Sequence, residues 1–208
     1  PDNVVAQPQD RGTAIGILLA ALRIAARDPD ATVLILPSDH HVADERRLAA
    51  TLGETLDAIR HHDCGVALLG IAPDEPDPEL GYIVPQYADH TRVHGVHRFV
   101  EKPSAREATS LINSGALWNS FIVICRISSL VALLNHRHPN VVQALQAIDL
   151  RNMVALDAVL RDLPTVDFSR DVATGQEHRL AVVAAPHCGW NDLGTPRRLA
   201  KTLARDRR

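Results

Sequence analysis

Thr32-Val33-Leu34-Ile35-Leu36-Pro37-Ser38-Asp39-His40 is an apolar run closed by a proline and followed at once by an acid and a histidine. Five apolar residues are too few for a helix, and the lack of polar alternation predicts a strand buried on both faces. What flanks this run sets the fold class. Upstream, Val4 to Ala6 reads as a strand end and Gln7 to Gly12 as a polar loop. Thr13 then caps a helix whose Ile17, Leu18, Ala21, Leu22 and Ile24 keep helical spacing up to Asp28-Pro29. Downstream, Asp44 can cap a helix carrying Leu48, Leu52, Leu56 and Ile59, which runs to His61-His62.

The same alternation continues. Gly65 to Ile71 is the next strand, and Pro73-Asp74-Glu75-Pro76-Asp77-Pro78-Glu79 is a solvated acidic loop that leads to a short strand at Gly81-Tyr82-Ile83. Val93 to Glu101 is a strand. Ser104 with Glu107 forms a capping-box pattern, opening a helix that ends at Asn113 before Gly115. Phe121 to Cys125 is strand-like, residues 127 to 163 are mainly helical with breaks at Pro139 and Pro164, and Arg179 to Ala185 is a last buried strand. Pro196 opens a terminal helix at its first turn. Strands alternating with helices predict a layered α/β domain with a mixed, mostly parallel sheet. With no repeat, low-complexity tract or linker, residues 1–208 are expected to form a single domain.

Composition narrows the function. A 46% hydrophobic and 23% charged chain of 208 residues is ordinary for a globular protein, and a net charge of −3 offers no basic field, so nucleic acid is not an expected partner. No apolar run reaches the roughly 18 residues of a membrane span, so no membrane partner is expected either. Three cysteines, Cys64, Cys125 and Cys188, are odd in number and far apart, which suggests neither a disulfide framework nor a zinc site and fits a reducing cytoplasm. The pairs His40-His41 and His61-His62 lack the i, i+4 spacing of a metal-binding helix face.

In open α/β sheets ligands bind beyond the carboxyl ends of strands, so side chains arriving there are candidates. Asp39 follows one strand and Asp192 another, and two carboxylates from distant loops are a plausible mount for Mg²⁺, which takes few protein ligands. Both could equally be turn or helix caps. Lys102 is one of only two lysines in a chain that otherwise uses arginine, and it closes a predicted strand. A compact, flexible ammonium suits a phosphate whose charge moves; the alternative is a solvated surface cation.

Taken in order, Gln7-Pro8-x-x-Arg11-Gly12-Thr13-Ala14, Pro37-Ser38-Asp39-His40, Gly81-Tyr82-Ile83, Phe99-Val100-Glu101-Lys102-Pro103, Trp118-Asn119-Ser120 and Gly189-Trp190-x-Asp192-Leu193-Gly194 resemble the motifs of the sugar-phosphate nucleotidyltransferases. The resemblance is nearest to the branch that joins mannose-1-phosphate to GTP, and it runs to about Ala200. It implies a Rossmann-like, GT-A-type domain in three layers and an attack of a sugar-1-phosphate oxygen on the α-phosphorus of a nucleoside triphosphate. By the same resemblance Gln7 and Pro8 would lie against the nucleobase, with Arg11 and Thr13 shaping that pocket. Asp39 and Asp192 would hold Mg²⁺. Gly81 would meet the hexose, Glu101 and Asn119 the sugar, Lys102 the sugar-linked phosphate, and Asp167 would stand near by.

Departures from the pattern accompany it. The family's glycine-rich triphosphate loop is not among these residues, so the chain is expected to be the N-terminally truncated body of a longer enzyme. Ile15 stands where the family usually has Pro, and Phe121 where it usually has Gly. The competing readings are a degenerate, non-catalytic homologue that binds nucleotide sugars or partners, and a GT-A glycosyltransferase. The latter would be expected to carry its metal acids as D-x-D on one strand end. A homo-oligomer is among the allowed assemblies.

Overall fold

The structure, a computed structural model, describes residues 3–60, 65–87 and 91–205. In chain order these form α1 (Thr13–Ala25), β1 (Thr32–Ile35), α2 (Glu45–Arg60), β2 (Val66–Ile71), β3 (Tyr82–Gln86), β4 (Val93–Val100) and α3 (Ala105–Asn113). There follow β5 (Leu117–Arg126), α4 (Ile127–Arg137), α5 (Pro139–Gln146), α6 (Met153–Asp162), β6 (Ala181–Ala185) and α7 (Pro196–Arg205). A π-helical turn spans Phe168–Ala173.

The strands make one sheet in the order β1-β5-β2-β6-β4-β3, with β3 also pairing with the start of β5. Side-chain alternation explains why it is covered on both sides. Val66 and Leu68 of β2, Val123 and Cys125 of β5 and Val182 of β6 join a core with Leu18 of α1, Leu130 of α4 and Leu145 of α5. Their neighbours Ala67 and Leu69, Ile122 and Ile124, and Val183 join a second core with Ile59 of α2 and Leu111 of α3. Burial on both faces is why these strands read as continuous apolar runs.

Several expectations need correction. The sheet is mixed but mostly antiparallel: only β2 and β6 run parallel, while β1–β5, β2–β5, β3–β4, β3–β5 and β4–β6 are antiparallel. The 32–36 run is not buried on both faces. Its strand stops at Ile35, pairs only with β5, and leaves Leu34 37% and Leu36 52% exposed. Residues 4–6 form no strand; they run beside α1, where Arg23 donates to the Val4 carbonyl.

Thr13 is not the cap of α1. Gly12 takes that position at φ +83°, where a Cβ would stand 2.4 Å from the Val166 carbonyl oxygen. Ser104 does cap α3, accepting from the Glu107 amide at 3.2 Å, but the Glu107 carboxylate is drawn to Arg98 and does not close the box. Asp44 caps α2 as expected, its Oδ1 accepting from the Arg47 amide at 2.9 Å. Residues 127–163 hold a further break, after Gln146, where Asn152 caps α6.

β5 begins four residues before Phe121, so Trp118, Asn119 and Ser120 lie inside a strand and not at an element end. Leu68 faces Val123 while Gly70 faces Asn119, so β5 carries two extra residues at this point. The buried Ser120 hydroxyl donates to the Leu69 carbonyl at 2.6 Å and fills the gap in the ladder. Cys125 and Cys188 are buried free thiols, and burial pushes the Cys125 pKa up to about 12. His61, His62 and Cys64 lie outside the described residues. Among the described residues no helix is long and apolar enough to cross a membrane.

Candidate functional site

The sequence-predicted residues gather in two groups. In the first, the loop after β1 is tied to the loop after β6 by a two-way backbone bridge, His41 to Asn191 at 2.8 Å and back at 2.9 Å. The bridge sets Asp39 and Asp192 in neighbouring positions of two paired segments. Trp190 Nε1 donates to His40 Nδ1 at 3.2 Å, with the rings edge to face. Burial lowers the His40 pKa, against the raising pull of both Asp39 and Asp192. Asp39 is open, its side chain 83% exposed and Oδ1 3.9 Å from His40 Nε2. Asp192 is held: its Oδ1 lies 2.7 Å from Arg198 Nε, and its Oδ2 accepts from Arg198 Nη2 at 3.1 Å.

As a donor set, two carboxylates from separate loops are of the type a hard divalent cation such as Mg²⁺ takes, although both oxygens of Asp192 are already engaged, Oδ1 by Arg198 Nε and the Gly194 amide and Oδ2 by Arg198 Nη2. Both acids act electrostatically on one imidazole from separate loops, Asp192 paired with a guanidinium and Asp39 exposed. Among the described residues no group of three or more His, Cys, Asp or Glu forms a cage, so an ion here would draw its remaining oxygens from water or phosphate. Arg198 offsets part of the negative charge of Asp192.

The second group is built on β3, β4 and β5. The Asn119 amide donates to the Gly81 carbonyl at 2.8 Å, and a Cβ at Gly81 would stand 2.7 Å from Glu101 Oε2 and 3.4 Å from Asn119 Cβ. Gly81, Glu101 and Asn119 therefore pack against one another, with Gly81 buried beneath the Glu101 carboxylate. Asn119 Nδ2 donates to Ser169 Oγ at 3.3 Å, and its Oδ1 accepts from the Phe121 amide at 3.1 Å. Burial first, and the charge of Asp167 second, push the Glu101 pKa up, while Lys102 and Arg170 pull it down. Asp167 and Arg170 thus stand within electrostatic reach of Glu101, carried by the π-helical turn that Asp167 caps.

Thr13 joins this group, its hydroxyl accepting from the Phe168 amide at 2.9 Å and lying 3.4 Å from Asp167 Oδ2. Gln7 lies against α1, where a Cβ on Gly16 would meet its Oε1 at 3.0 Å, and Pro8 is exposed beside it. Arg11 turns the other way. Its guanidinium donates to the Leu160 and Arg161 carbonyls at 2.6 and 2.9 Å, closing the end of α6, so it can shape a pocket only through the loop it anchors.

Among the described residues three non-glycine residues have positive φ: Lys102 (+46°), Phe121 (+58°) and Leu193 (+53°). Lys102 and Leu193 lie within quoted motifs and Phe121 directly follows one, and backbone of this kind persists only where its surroundings over-determine it. Sequence reading missed Ser169, Arg170 and Arg198. The first two sit in a wide helical turn with no periodic signal. Arg198 left a trace, because two arginines in the first turn of α7 oppose the helix dipole and call for acidic partners.

Residues 2–208 match the nucleotidyl transferase family, and the chain belongs to it. It is 30% identical over 207 residues to mannose-1-phosphate guanylyltransferase of Escherichia coli, covering 93% of this chain and 44% of that protein. To alginate biosynthesis protein AlgA of Pseudomonas syringae pv. tomato it is 29% identical, covering 98% and 43%. The chain spans less than half the length of these relatives. Among solved structures, mannose-1-phosphate geranyltransferase from Thermus thermophilus superposes with a TM-score of 0.83 at 28% identity, over 95% of this chain and 57% of that one. UDP-glucose pyrophosphorylase complexed with UDP-glucose shares the fold, with a TM-score of 0.59 at 14% identity over 96% and 64%. The α/β nucleotidyltransferase fold with a mixed sheet is thereby established, as the resemblance of the motifs implied.

Proposed function

We propose that this chain carries the sugar side of a mannose-1-phosphate guanylyltransferase, in a three-layer GT-A-type domain with helices on both faces of the sheet. A phosphate oxygen of mannose-1-phosphate bonds to the α-phosphorus of GTP, the bond from that phosphorus to the bridging oxygen breaks, and the electron pair leaves with pyrophosphate. Such chemistry asks for positioning and charge neutralisation, with no covalent nucleophile. The observation that carries the reading is the cluster of Gly81, Glu101 and Asn119 beside Lys102: a carboxylate and an amide for hydroxyl groups, packed over a glycine that leaves them room, and an ammonium for the attached phosphate.

Glu101 accepts from sugar hydroxyls, Asn119 holds the ring, and Lys102 follows the charge of the sugar phosphate. Asp167 and Thr13 border that cluster, and Gln7, Pro8 and the loop anchored by Arg11 face the base. Asp39 and Asp192 would hold Mg²⁺, which when bound supplies neutralisation of triphosphate oxygens. The test is pyrophosphate release from GTP and mannose-1-phosphate with Mg²⁺, using the full-length product of the gene beside the 208-residue chain. Release that Lys102→Ala and Asp192→Ala abolish supports the reading. No release from the folded full-length protein overturns it and leaves a nucleotide-sugar binding module.

A further inference from the structure

Arg198 is 8% exposed and holds two carboxylates at once. Nη1 donates to Asp77 Oδ2 at 2.7 Å and Nη2 to Asp192 Oδ2 at 3.1 Å, while Nε lies 2.7 Å from Asp192 Oδ1 as an ion pair, without hydrogen-bond geometry. Asp77 and Asp192 are themselves mostly buried, with side chains 13% and 18% exposed. The three groups sum to one negative charge in a poorly solvated place, an arrangement that costs desolvation unless geometry and a further cation offset it. Space has been left for it: a Cβ on Gly194 would stand 2.8 Å from Arg198 Nη2. At the far end, the Asp77 amide donates to the Tyr82 hydroxyl at 2.9 Å, and that hydroxyl lies 3.1 Å from the Asp77 carbonyl oxygen. Tyr82 is fully buried and follows Gly81 directly.

A continuous path of contacts therefore runs from Asp192 through Arg198, Asp77 and Tyr82 to Gly81. We infer that Arg198 is a positioning residue that aims the Asp192 carboxylate at a divalent cation and fixes the acidic loop at residues 73–79, so that Asp77, though remote from the cation, sets its affinity. This inference rests on the proposed cation mount. Neutralising Asp77 leaves the guanidinium to Asp192 alone, which withdraws negative charge from the mount.

The test is Mn²⁺ binding to the full chain, read from the loss of the free-ion EPR signal, with melting temperature measured alongside. Asp77→Asn and Arg198→Lys are expected to weaken binding about tenfold while staying folded, the usual scale for a partner behind a metal ligand. Arg197→Gln is the control. Arg197 also ties α7 to the loop, through Glu75, but touches neither Asp77 nor Asp192, and its variant should bind as the parent does. Unchanged binding in folded Asp77→Asn and Arg198→Lys overturns the inference, as does equal weakening by Arg197→Gln or no Mn²⁺ binding by the parent. Weakened binding without pyrophosphate release from the parent supports this inference while removing the enzymatic reading.

Discussion

The carboxylate of Glu101 lies over the α-carbon of Gly81, so close that a Cβ there would stand 2.7 Å from Oε2. The obstacle is the end of a side chain and not backbone, so Gly81→Ala can be accommodated by turning Glu101 aside. The cost should then fall on function more than on folding. We expect Gly81→Ala to lose at most about 1 kcal/mol of stability in urea unfolding. The KM for the sugar phosphate should rise about tenfold with kcat less affected, as for lost uniform binding. A large stability loss with unchanged KM would refute this placement.

Glu101 also gives a pH signature. Its pKa is raised by burial and then by Asp167. A carboxyl raised above its unfolded value favours the fold most when protonated, and that contribution is lost as pH climbs through the native pKa. Glu101→Gln cannot titrate. Its melting temperature should therefore exceed that of the parent at pH 7, and the gap should close as pH falls toward the ordinary glutamate value of about 4.3. A gap that opens on acidification would show that Glu101 is held ionised by a partner.

The sequence made the order of elements legible because buried strands leave unbroken apolar runs and Ser104, Asp44 and Pro196 mark helix starts. Strand direction was not legible. Alternating helices and strands suggested parallel pairing, yet β5 alone supplies three antiparallel partnerships, and nothing in Leu117–Arg126 announces that. Nor could an apolar run such as Thr32–Leu36 say that it would pair on one side only. The site motifs were legible as an ordered set, but not the orientation of Arg11, whose carbonyl partners lie some 150 positions away. Asp167 was placed by resemblance; the π-helical turn that aims its neighbours has no periodicity to read.

Lys102 is exposed, and at φ +46° its backbone is already in a conformation that alanine would find as strained as lysine does. Lys102→Ala should thus leave stability within about 0.5 kcal/mol. If the ammonium neutralises phosphate charge as it develops, kcat/KM for pyrophosphate release should fall about 100-fold or more. Lys102→Arg should not restore it, since a rigid guanidinium fork cannot track a moving charge as a compact ammonium can. Full rescue by arginine would instead indicate a purely electrostatic field at this position.

Phe121 sets a conflict between backbone and side chain. At φ +58° it occupies a region that costs a non-glycine residue about 1–2 kcal/mol, yet its ring packs edge to face on Phe168 with centroids 5.9 Å apart. Both Phe121→Ala and Phe121→Gly lose the ring contact, so both should be destabilised. They differ in the backbone alone. In an ordinary strand glycine is the worse of the two by roughly 0.5–1 kcal/mol, because the unfolded chain gains freedom. Here the strain that alanine keeps and glycine releases should cancel or reverse that order, leaving Phe121→Gly at least as stable as Phe121→Ala by urea midpoint. Finding alanine more stable by the ordinary margin would mean that the β5 bulge relaxes once the ring is gone, and that the ring, not the ladder on either side, holds Asn119 against Gly81.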